Sequence, residues 1–333
     1  MREEETAGGA RIPVLVLIDA EPDGFFIGRT ENGPWYGFER AVEVMTELRP
    51  VLSRHTGQEA HFVWLLRADQ QIAETYGDAG WALAHYRRAW DRLLEAQDEV
   101  GLHVHAYRWE PRLEDWVEAY GDQEWVERCV RDGVGAFTEH FGRPPAAFSM
   151  GMDWTNQETV RLASRLNVHY DLSMVAGKEP QPFPPQNGYS GMAPDCSRIR
   201  LRPYHPAPED FLAAAPDGAD GMWLIPQSSR VARIYPSLKR GLWDLAHLRP
   251  VAPRATRKLF LEDDPAQMTS AIAEALEGIE RPYLTLAIRT DQYRRPDREA
   301  IVRRNLENVL AHPDSGRFVF ARPDEALRIL GLG

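Results

Sequence analysis

The stretch IPVLVLIDAEPD, residues 12–23, decides the fold of this chain. Residues 14–18 form a continuous aliphatic run, which is typical of a strand buried on both faces of a parallel sheet. The run ends in three acids at alternating positions, Asp19, Glu21 and Asp23. Side chains two apart on a strand lie on the same face. Three carboxylates there repel one another unless a cation or bound protons intervene, so this strand end is either a cation site or a solvated turn.

The same strand pattern recurs along the chain, and segments with helical periodicity separate the strands. Strands are predicted at residues 14–18, 61–66, 101–105, 146–150, 168–172, 222–225, 283–288 and 317–321. Helices are predicted at residues 38–55, 81–97, 123–141, 156–166, 235–248, 264–276, 298–311 and 323–330. This alternation predicts an α/β fold with a parallel sheet covered on both faces. Seven or eight such units favour a closed or nearly closed (β/α) barrel, with an open doubly wound sheet as the alternative. In either fold the active site lies beyond the carboxyl ends of the strands.

The predicted domain organisation is simple. Residues 1–10 are charged and then glycine-rich, which predicts a flexible N-terminus, and residues 11–333 form a single barrel domain. Residues 175–221 break the strand–helix rhythm and are rich in Pro and Gly. Long excursions of this kind are often lids or substrate loops, so we expect this segment to cover the mouth of the barrel instead of building a core of its own.

Composition excludes several classes of protein. The net charge of −11 over 333 residues argues against a nucleic-acid partner, because such proteins need a basic patch. The two cysteines, Cys129 and Cys196, are too few for a disulfide scaffold and are predicted to be free thiols in a reducing compartment. No apolar run is long enough to span a membrane, and the start of the chain does not resemble a signal peptide, so we expect a cytoplasmic protein without a membrane partner. Arginine replaces lysine almost throughout, with lysine only at 178, 239 and 258, and we assign no function to that preference.

A pair of histidines marks the end of the third predicted strand, in GLHVHAYRW at residues 101–109. His103 and His105 share a face of the strand, and Val104 points away. Imidazoles at i and i+2 are a common way to hold zinc or a similar divalent ion, although core or surface histidines also occur in this spacing. Two histidines with one carboxylate and an open position for water suit hydrolysis.

At this point the chain resembles the polysaccharide deacetylase family, also called the NodB-homology or carbohydrate esterase family 4 fold. The sequence Asp19-Ala20-Glu21 is similar to a D-x-E variant of the family's first motif, and residues 99–103 (EVGLH) are similar to its second motif. The resemblance spans roughly residues 11–175 and is weaker beyond them. It implies a distorted (β/α)₇ barrel with a divalent metal, which we expect to be zinc. It also implies that Asp19 is the catalytic base and that Glu21, His103 and His105 hold the metal, with Asp23 as an alternative to Glu21.

Two catalytic helpers of the family are missing from their expected positions. The family's third motif carries an arginine that orients the base, whereas this chain has Ser149 followed by Met-Gly-Met. The family's last motif carries a histidine as general acid, whereas the seventh strand here ends in Arg289, Thr290 and Asp291. His205, within residues 175–221, is predicted to replace the missing acid if that segment folds over the site.

Other polar and aromatic side chains follow the predicted strands, and each has a structural alternative. Asp153 either orients a catalytic group or caps a helix. Substrate-binding roles are predicted for two charged pairs, whose alternative role is a structural ion pair, and for two tryptophans, whose alternative role is packing. These residues are Arg67 with Asp69, Arg289 with Asp291, and Trp109 and Trp154.

Three functions remain open on the sequence. The first is a metal-dependent hydrolase that removes an acyl group from a sugar or small metabolite by cleaving a C–N or ester bond. The second is a non-catalytic descendant of the fold that binds a carbohydrate or small polar ligand, and the third is a metal-free hydrolase on the same scaffold. The chain has neither the G-x-S-x-G elbow of a serine hydrolase nor a glycine-rich phosphate loop after the first strand.

Overall fold

In the described part of the chain, eight parallel strands form the central sheet. The structure is a computed structural model that describes residues 10–23, 34–180, 193–233, 254–293 and 295–333. The sheet strands are β1 (Ile12–Ala20), β2 (Val63–Arg67), β3 (Glu99–Val104), β6 (Ala147–Met150), β7 (Tyr170–Asp171), β8 (Trp223–Leu224), β11 (Leu284–Arg289) and β12 (Phe318–Phe320). Their order is β11-β1-β2-β3-β6-β7-β8, and β12 pairs with β1 as well. Two antiparallel hairpins lie outside the sheet: β4 (Tyr107–Glu110) with β5 (Asp115–Glu118), and β9 (Ser229–Arg233) with β10 (Arg254–Lys258).

Helices follow most of the strands, as the sequence predicts. They are α1 (Tyr36–Thr56), α2 (Gln70–Tyr76), α3 (Trp81–His85), α4 (Arg87–Glu95), α5 (Gln123–Phe141), α6 (Gln157–Arg165), α7 (Pro265–Leu276), α8 (Pro296–Leu310) and α9 (Pro323–Ile329). Their ends have local causes. Asn156 begins α6 by accepting a hydrogen bond from the backbone of Thr159, and Gly142 ends α5 with the left-handed backbone that glycine adopts most easily.

The sheet curls until its two ends approach each other. The residues that follow β8 contact β11 at the other end of the strand order. Ser228 and Thr285 exchange backbone-to-hydroxyl hydrogen bonds of 2.6 and 2.9 Å, and the hydroxyl of Tyr283 donates to the carbonyl of Pro226 at 2.5 Å. The distorted (β/α)₇-type barrel predicted from the sequence is therefore confirmed.

The interior of the curled sheet changes from apolar to polar along the strands. On β1, Leu15 and Leu17 belong to a small interior cluster, which also contains Ala326 of α9 and Leu330, the residue that follows this helix. The next inward position is Asp19, because side chains alternate between the two faces of a strand. The even-numbered positions of β1 face the large core between sheet and helices. The sequence pattern thus places the first polar inward position at the carboxyl end of the strand.

The structure differs from the sequence-based prediction in two hairpins. The periodicity did not predict β4 with β5, or β9 with β10. The predicted helix at residues 235–248 lies outside the described residues. Cys129 and Cys196 are both buried free thiols, and no described helix is long and apolar enough to cross a membrane.

The long excursion at residues 175–221 follows two different courses where it is described. Residues near Lys178 reach the carboxyl ends of the strands, as described below. Phe211 and Cys196 join the main hydrophobic core, and Tyr204 pairs with Leu224 of β8. Residues 181–192 lie outside the described part. The described residues of this segment therefore pack on the barrel, while a role as a cover for its mouth stays a prediction.

Candidate metal centre and active site

A glutamate and two histidines converge at the carboxyl ends of β1 and β3. Glu21, His103 and His105 each offer one ligand atom, and these atoms lie within 4.8 Å of one another. Oε1 of Glu21 lies 3.7 Å from Nε2 of His103 and 3.9 Å from Nε2 of His105. The two Nε2 atoms are 2.9 Å apart. All three side chains are buried, so their polar atoms face one another in the interior.

Strand register brings the neighbouring polar side chains to this cluster. His103 is the register partner of Arg67 on β2 and of Ser149 on β6. Asp19 is the register partner of Arg289 on β11. Because register partners share a face of the sheet, two successive inward rows supply these side chains. Arg289 and Asp19 lie in the row of Leu65, and Arg67, His103 and Ser149 lie in the row two residues further along β2.

Ser149 and Gly151, at the end of β6 and just after it, contact the two histidines. The Oγ atom of Ser149 lies 2.6 Å from Nδ1 of His103. If Nδ1–H donates to this hydroxyl, the lone pair of Nε2 points into the cluster, which is how an outer hydrogen bond fixes the tautomer of a metal-binding histidine. A Cβ atom built on Gly151 would overlap the ring of His105, so glycine is needed there for steric reasons.

Arg67 contacts the cluster through Glu21 and Asp69. Its guanidinium is fully buried, donates to Asp69 at 2.9 Å and to Glu21 at 3.3 Å, and also binds Gln71. Asp69 in turn accepts the backbone N–H of His105 at 3.0 Å. The ion pair of Arg67 and Asp69 thus contacts both Glu21 and the backbone of the strand that carries the histidines. A substrate-binding role for Arg67 or Asp69 stays a prediction.

A second charged group lies on the other side of Asp19. Oδ2 of Asp19 is 4.0 Å from Nζ of Lys258, on β10. Asp153 binds the ammonium of Lys258 at 3.0 Å and that of Lys178 at 2.7 Å. Met152 and Asp153 both have positive φ, 61° and 52°. Non-glycine residues rarely adopt this backbone, so the turn after β6 accepts strain at the point where Asp153 meets the two lysines.

Burial sets the protonation of the site. It raises the pKa of Asp19 to about 6, against the opposing pull of Lys258 and Arg289. It lowers the pKa of His103 to about 4 and that of His105 well below its ordinary value. Both imidazoles are therefore neutral at pH 7. Burial also acts to raise the pKa of Asp153, but the two lysines outweigh it and hold that carboxylate ionised.

The donor set fits a divalent metal ion. Neutral imidazole nitrogens and a carboxylate oxygen are the ligands that zinc and similar ions take. Two nitrogens bound to one tetrahedral zinc lie about 3.3 Å apart, given zinc–nitrogen bonds of about 2.0 Å. The 2.9 Å between the facing Nε2 atoms of His103 and His105 is close to this spacing. The residues that would hold the ion are therefore Glu21, His103 and His105.

Several residues singled out in the sequence lie elsewhere. Asp23 accepts the backbone N–H of Gly37 at 2.8 Å, near the start of α1, and is not part of the cluster. Trp154 is buried in the main core, with its ring centroid 5.3 Å from that of Tyr120. Trp109 pairs with Trp116 across the β4–β5 hairpin, at 5.5 Å. Of these aromatic residues, only Trp109 stays partly accessible for the substrate contact that the sequence predicts.

The structure does not bring His205 to the cluster. Its Nδ1 atom lies 3.2 Å from the carbonyl of Met222, and its ring lies 3.7 Å from that of Trp223. Trp223 begins β8, whereas the cluster lies at the carboxyl ends of the strands. This position corrects the expectation that His205 folds over the site as a replacement acid. Arg289 and Asp291 pair with each other at 2.9 Å at the end of β11.

Four residues of the site were missed as functional residues in the sequence: Lys178, Lys258, Ser149 and Gly151. The strongest available signal was the scarcity of lysine, because two of the three lysines in the chain bind Asp153. Ser149 and Gly151 lie in the segment that replaces the family's third motif, where only the missing arginine drew attention.

Comparison with known proteins supports the fold. Neither a family model nor a curated protein matches this sequence. Among solved structures, a "putative glycoside hydrolase/deacetylase" from Parabacteroides distasonis matches with a TM-score of 0.51 at 13% identity, covering 96% of this chain and 72% of that one. A "putative polysaccharide deacetylase" from Mycobacterium smegmatis matches with a TM-score of 0.44 at 13% identity, covering 98% and 92%. A family 4 carbohydrate esterase from Streptomyces lividans matches with a TM-score of 0.38 at 9% identity, covering 95% and 94%. The resemblance to the deacetylase fold predicted from the sequence is confirmed at the level of fold.

Proposed function

We propose that this protein is a metal-dependent hydrolase that removes an acyl group from a sugar or small metabolite. The observation that carries the proposal is the convergence of Glu21, His103 and His105 within 4.8 Å, next to a buried carboxylate, Asp19. Two histidines and a carboxylate leave coordination positions open on a metal, as hydrolytic sites do. When bound, the metal supplies a Lewis acid for the acyl carbonyl and a low-pKa water.

In this proposal Asp19 is the general base. Its Oδ1 atom lies 3.9 Å from Nδ1 of His103, so it borders the cluster without belonging to it. Burial raises its pKa to about 6, and a base near the working pH combines availability with basicity. Once protonated, Asp19 is also placed to return a proton to the leaving group.

Lys258 and Asp153 support the base. The ammonium of Lys258 is largely buried and lies between the carboxylates of Asp153 and Asp19. Burial acts to lower the pKa of Lys258, but the two carboxylates outweigh it and raise that pKa. A fixed positive charge therefore faces Asp19 from the side opposite to the histidines and holds its carboxylate in one orientation.

The experiment that tests the proposal is acyl release from O-acetyl and N-acetyl sugars by the purified protein. We expect activity that a chelator abolishes and that zinc or cobalt restores. The His103→Ala variant should stay inactive after metal is added, and His205→Ala, a histidine outside the site, should behave as the wild type. Chelator-resistant release would favour a metal-free hydrolase.

The third-motif arginine and the last-motif histidine of the family are both missing at their expected positions in this chain. This favours one alternative, a non-catalytic descendant that binds metal and a carbohydrate. Metal analysis combined with the same assay separates the two. Stoichiometric metal with no acyl release from any acetylated sugar would support the binding protein, whereas chelator-sensitive release supports the hydrolase.

A further inference from the structure

Three arginines project from one anchored segment on the outside of the barrel. Residues 198–202 read RIRLR, and Arg198, Arg200 and Arg202 are exposed. The apolar residues between them, Ile199 and Leu201, pack against the two hydrophobic clusters. The apolar residues therefore hold the segment on the protein, and the arginines are left facing outward.

These arginines line two adjoining cavities. The first has a volume of about 490 Å³ and is lined by all three arginines, by His205 and by Trp223. The second, of about 590 Å³, shares Arg200 and Arg202 with the first. Each volume is large enough for a small organic ligand. We refer to the two cavities together as the arginine pocket.

The arginine pocket lies at the opposite edge of the sheet from the metal centre. Trp223 begins β8, and Arg281, which lines the second cavity, precedes β11. The amino ends of parallel strands share one edge of a sheet, and the carboxyl ends share the other. A ligand in the arginine pocket therefore does not touch Glu21 or His103.

The charge of the arginine pocket is unusual for this chain. The protein carries a net charge of −11, yet four arginines line the two cavities against one acid in each, Asp217 and Glu280. Within the described ranges, the guanidinium groups of residues 198, 200 and 202 form no ion pair within 4.0 Å. Arg198 alone of the three acts on a nearby carboxyl, because hydrogen bonds from Ser197 and, to a smaller extent, the charge of Arg198 lower the pKa of Asp195. Arg281 donates to a carbonyl, that of Leu330, at 2.8 Å. The positive charge is thus available to a ligand.

We propose that the arginine pocket binds a small soluble molecule that carries a phosphate or diphosphate group. Several guanidinium groups in one cavity match a multiply charged oxyanion, because each can bind two oxygens in a planar, charge-assisted pair. The rings of His205 and Trp223, whose centroids lie 3.7 Å apart with their planes tilted by 40°, form an aromatic wall of the same cavity, which suits the organic part of the molecule. This site is independent of the proposed hydrolase activity.

The test is calorimetric titration of metal-free protein with pyrophosphate and with a nucleoside diphosphate. We expect saturable one-to-one binding that weakens as salt is added. The double variant Arg200→Gln/Arg202→Gln should bind about tenfold more weakly or worse, since each charge-assisted hydrogen bond contributes that order of affinity. Arg304→Gln, which removes an exposed arginine on α8, is the matched control and should bind as the wild type.

Two further variants and a lipid-binding measurement separate loss of a ligand contact from other causes of weak binding. Arg200→Lys/Arg202→Lys keeps the charge and should retain part of the affinity, which separates loss of a ligand contact from loss of fold. His103→Ala should bind pyrophosphate normally, so this result does not depend on the metal centre. Undiminished binding by the glutamine double variant would overturn the proposal, as would binding to anionic lipid vesicles without binding of either soluble anion.

Discussion

The Nε2 atoms of His103 and His105 face each other at 2.9 Å, although only Val104 separates the two residues. On a flat strand, side chains at i and i+2 stand side by side, about 6.6 Å apart at the backbone. Here the rings turn toward each other, with an angle of 77° between their planes. Two neutral imidazoles at this distance must share either one proton or one cation between their lone pairs. The nearby Glu21 carboxylate makes a cation the better match.

The first prediction concerns the metal itself. His103→Ala and His105→Ala should each remove most of the bound metal, because each deletes one of three ligands. The measurement is elemental analysis after dialysis against a metal-buffered solution. The matched control is His61→Ala, which removes a buried histidine bonded to the carbonyl of Gln97 and should leave metal content unchanged. Full metal occupancy in both site variants would show that the cluster is not a metal centre.

The second prediction concerns the glycine that makes room for His105. Gly151→Ala adds one methyl group that would overlap the imidazole, so the ring must move and metal affinity should fall at least tenfold, as it does when supporting residues of metal sites are changed. Gly135→Ala is the matched control, because a Cβ there meets nothing within 4 Å. That control should keep its metal and gain a little stability, since alanine favours helix. Equal metal affinity in the two variants would contradict the steric argument.

The third prediction concerns Lys258. Lys258→Met removes the charge that faces Asp19 and should lower kcat about tenfold to a hundredfold, the effect of losing a charged contact, with little change in metal content. Lys258→Arg should recover part of that loss. Lys178→Met removes the other lysine bound to Asp153, which does not approach Asp19, and should affect kcat less. Equal effects of the two methionine variants would mean that only the Asp153 ion pairs matter.

These lysines also show where sequence-based prediction stops. The barrel and the strand-end acids could be predicted, because alternation along one strand is a local property: the inward row Leu15, Leu17 and Asp19 is already visible in the sequence. Lys258 could not be placed, because it lies on a short antiparallel strand of basic and small residues, RATRK, without the apolar run that marks a sheet strand. It reaches Asp19 because the residues after β10 run beside β11, where Phe260 bridges to Ala287, and β11 pairs with β1; this is a long-range effect.

His205 is the opposite case, because the sequence predicted it in the site and the structure places it elsewhere. His205 lies in a long segment that could reach the site, and the family's general acid is missing from the seventh strand of this chain. The local sequence pattern of that segment does not indicate which edge of the sheet it packs against. In the structure, pairing of Tyr204 with Leu224 of β8 fixes its neighbour His205 beside Trp223. A contact between residues 20 apart on the chain therefore decided a role that local pattern could not.

The fourth prediction concerns the pH dependence of stability. Burial raises the pKa of Glu262, which accepts the backbone N–H of Arg289 at 2.6 Å, from 4.5 to about 8. Between these values the folded protein holds a proton that the unfolded chain has lost, so the contribution is fully present below about 4.5 and is lost as the pH rises to about 8. Glu262→Gln imitates the protonated form. Its free energy of unfolding relative to the wild type should rise with pH across this window by up to about 1.4 kcal/mol per unit, measured by urea denaturation. A constant difference would show that the carboxyl ionises normally.

The last prediction separates the roles of the two acids that end β1. Asp19→Asn keeps the shape and removes the base, so metal content should stay nearly constant while turnover falls about a hundredfold or more. Glu21→Gln should act in the other order, because its carboxylate lies within 4 Å of both Nε2 atoms: metal is lost first, and activity follows. Metal analysis and acyl release on the same samples decide between the roles. If Asp19→Asn strips the metal and Glu21→Gln does not, the two roles are reversed. If neither variant changes metal content or acyl release, the strand-end acids are not part of a hydrolytic site.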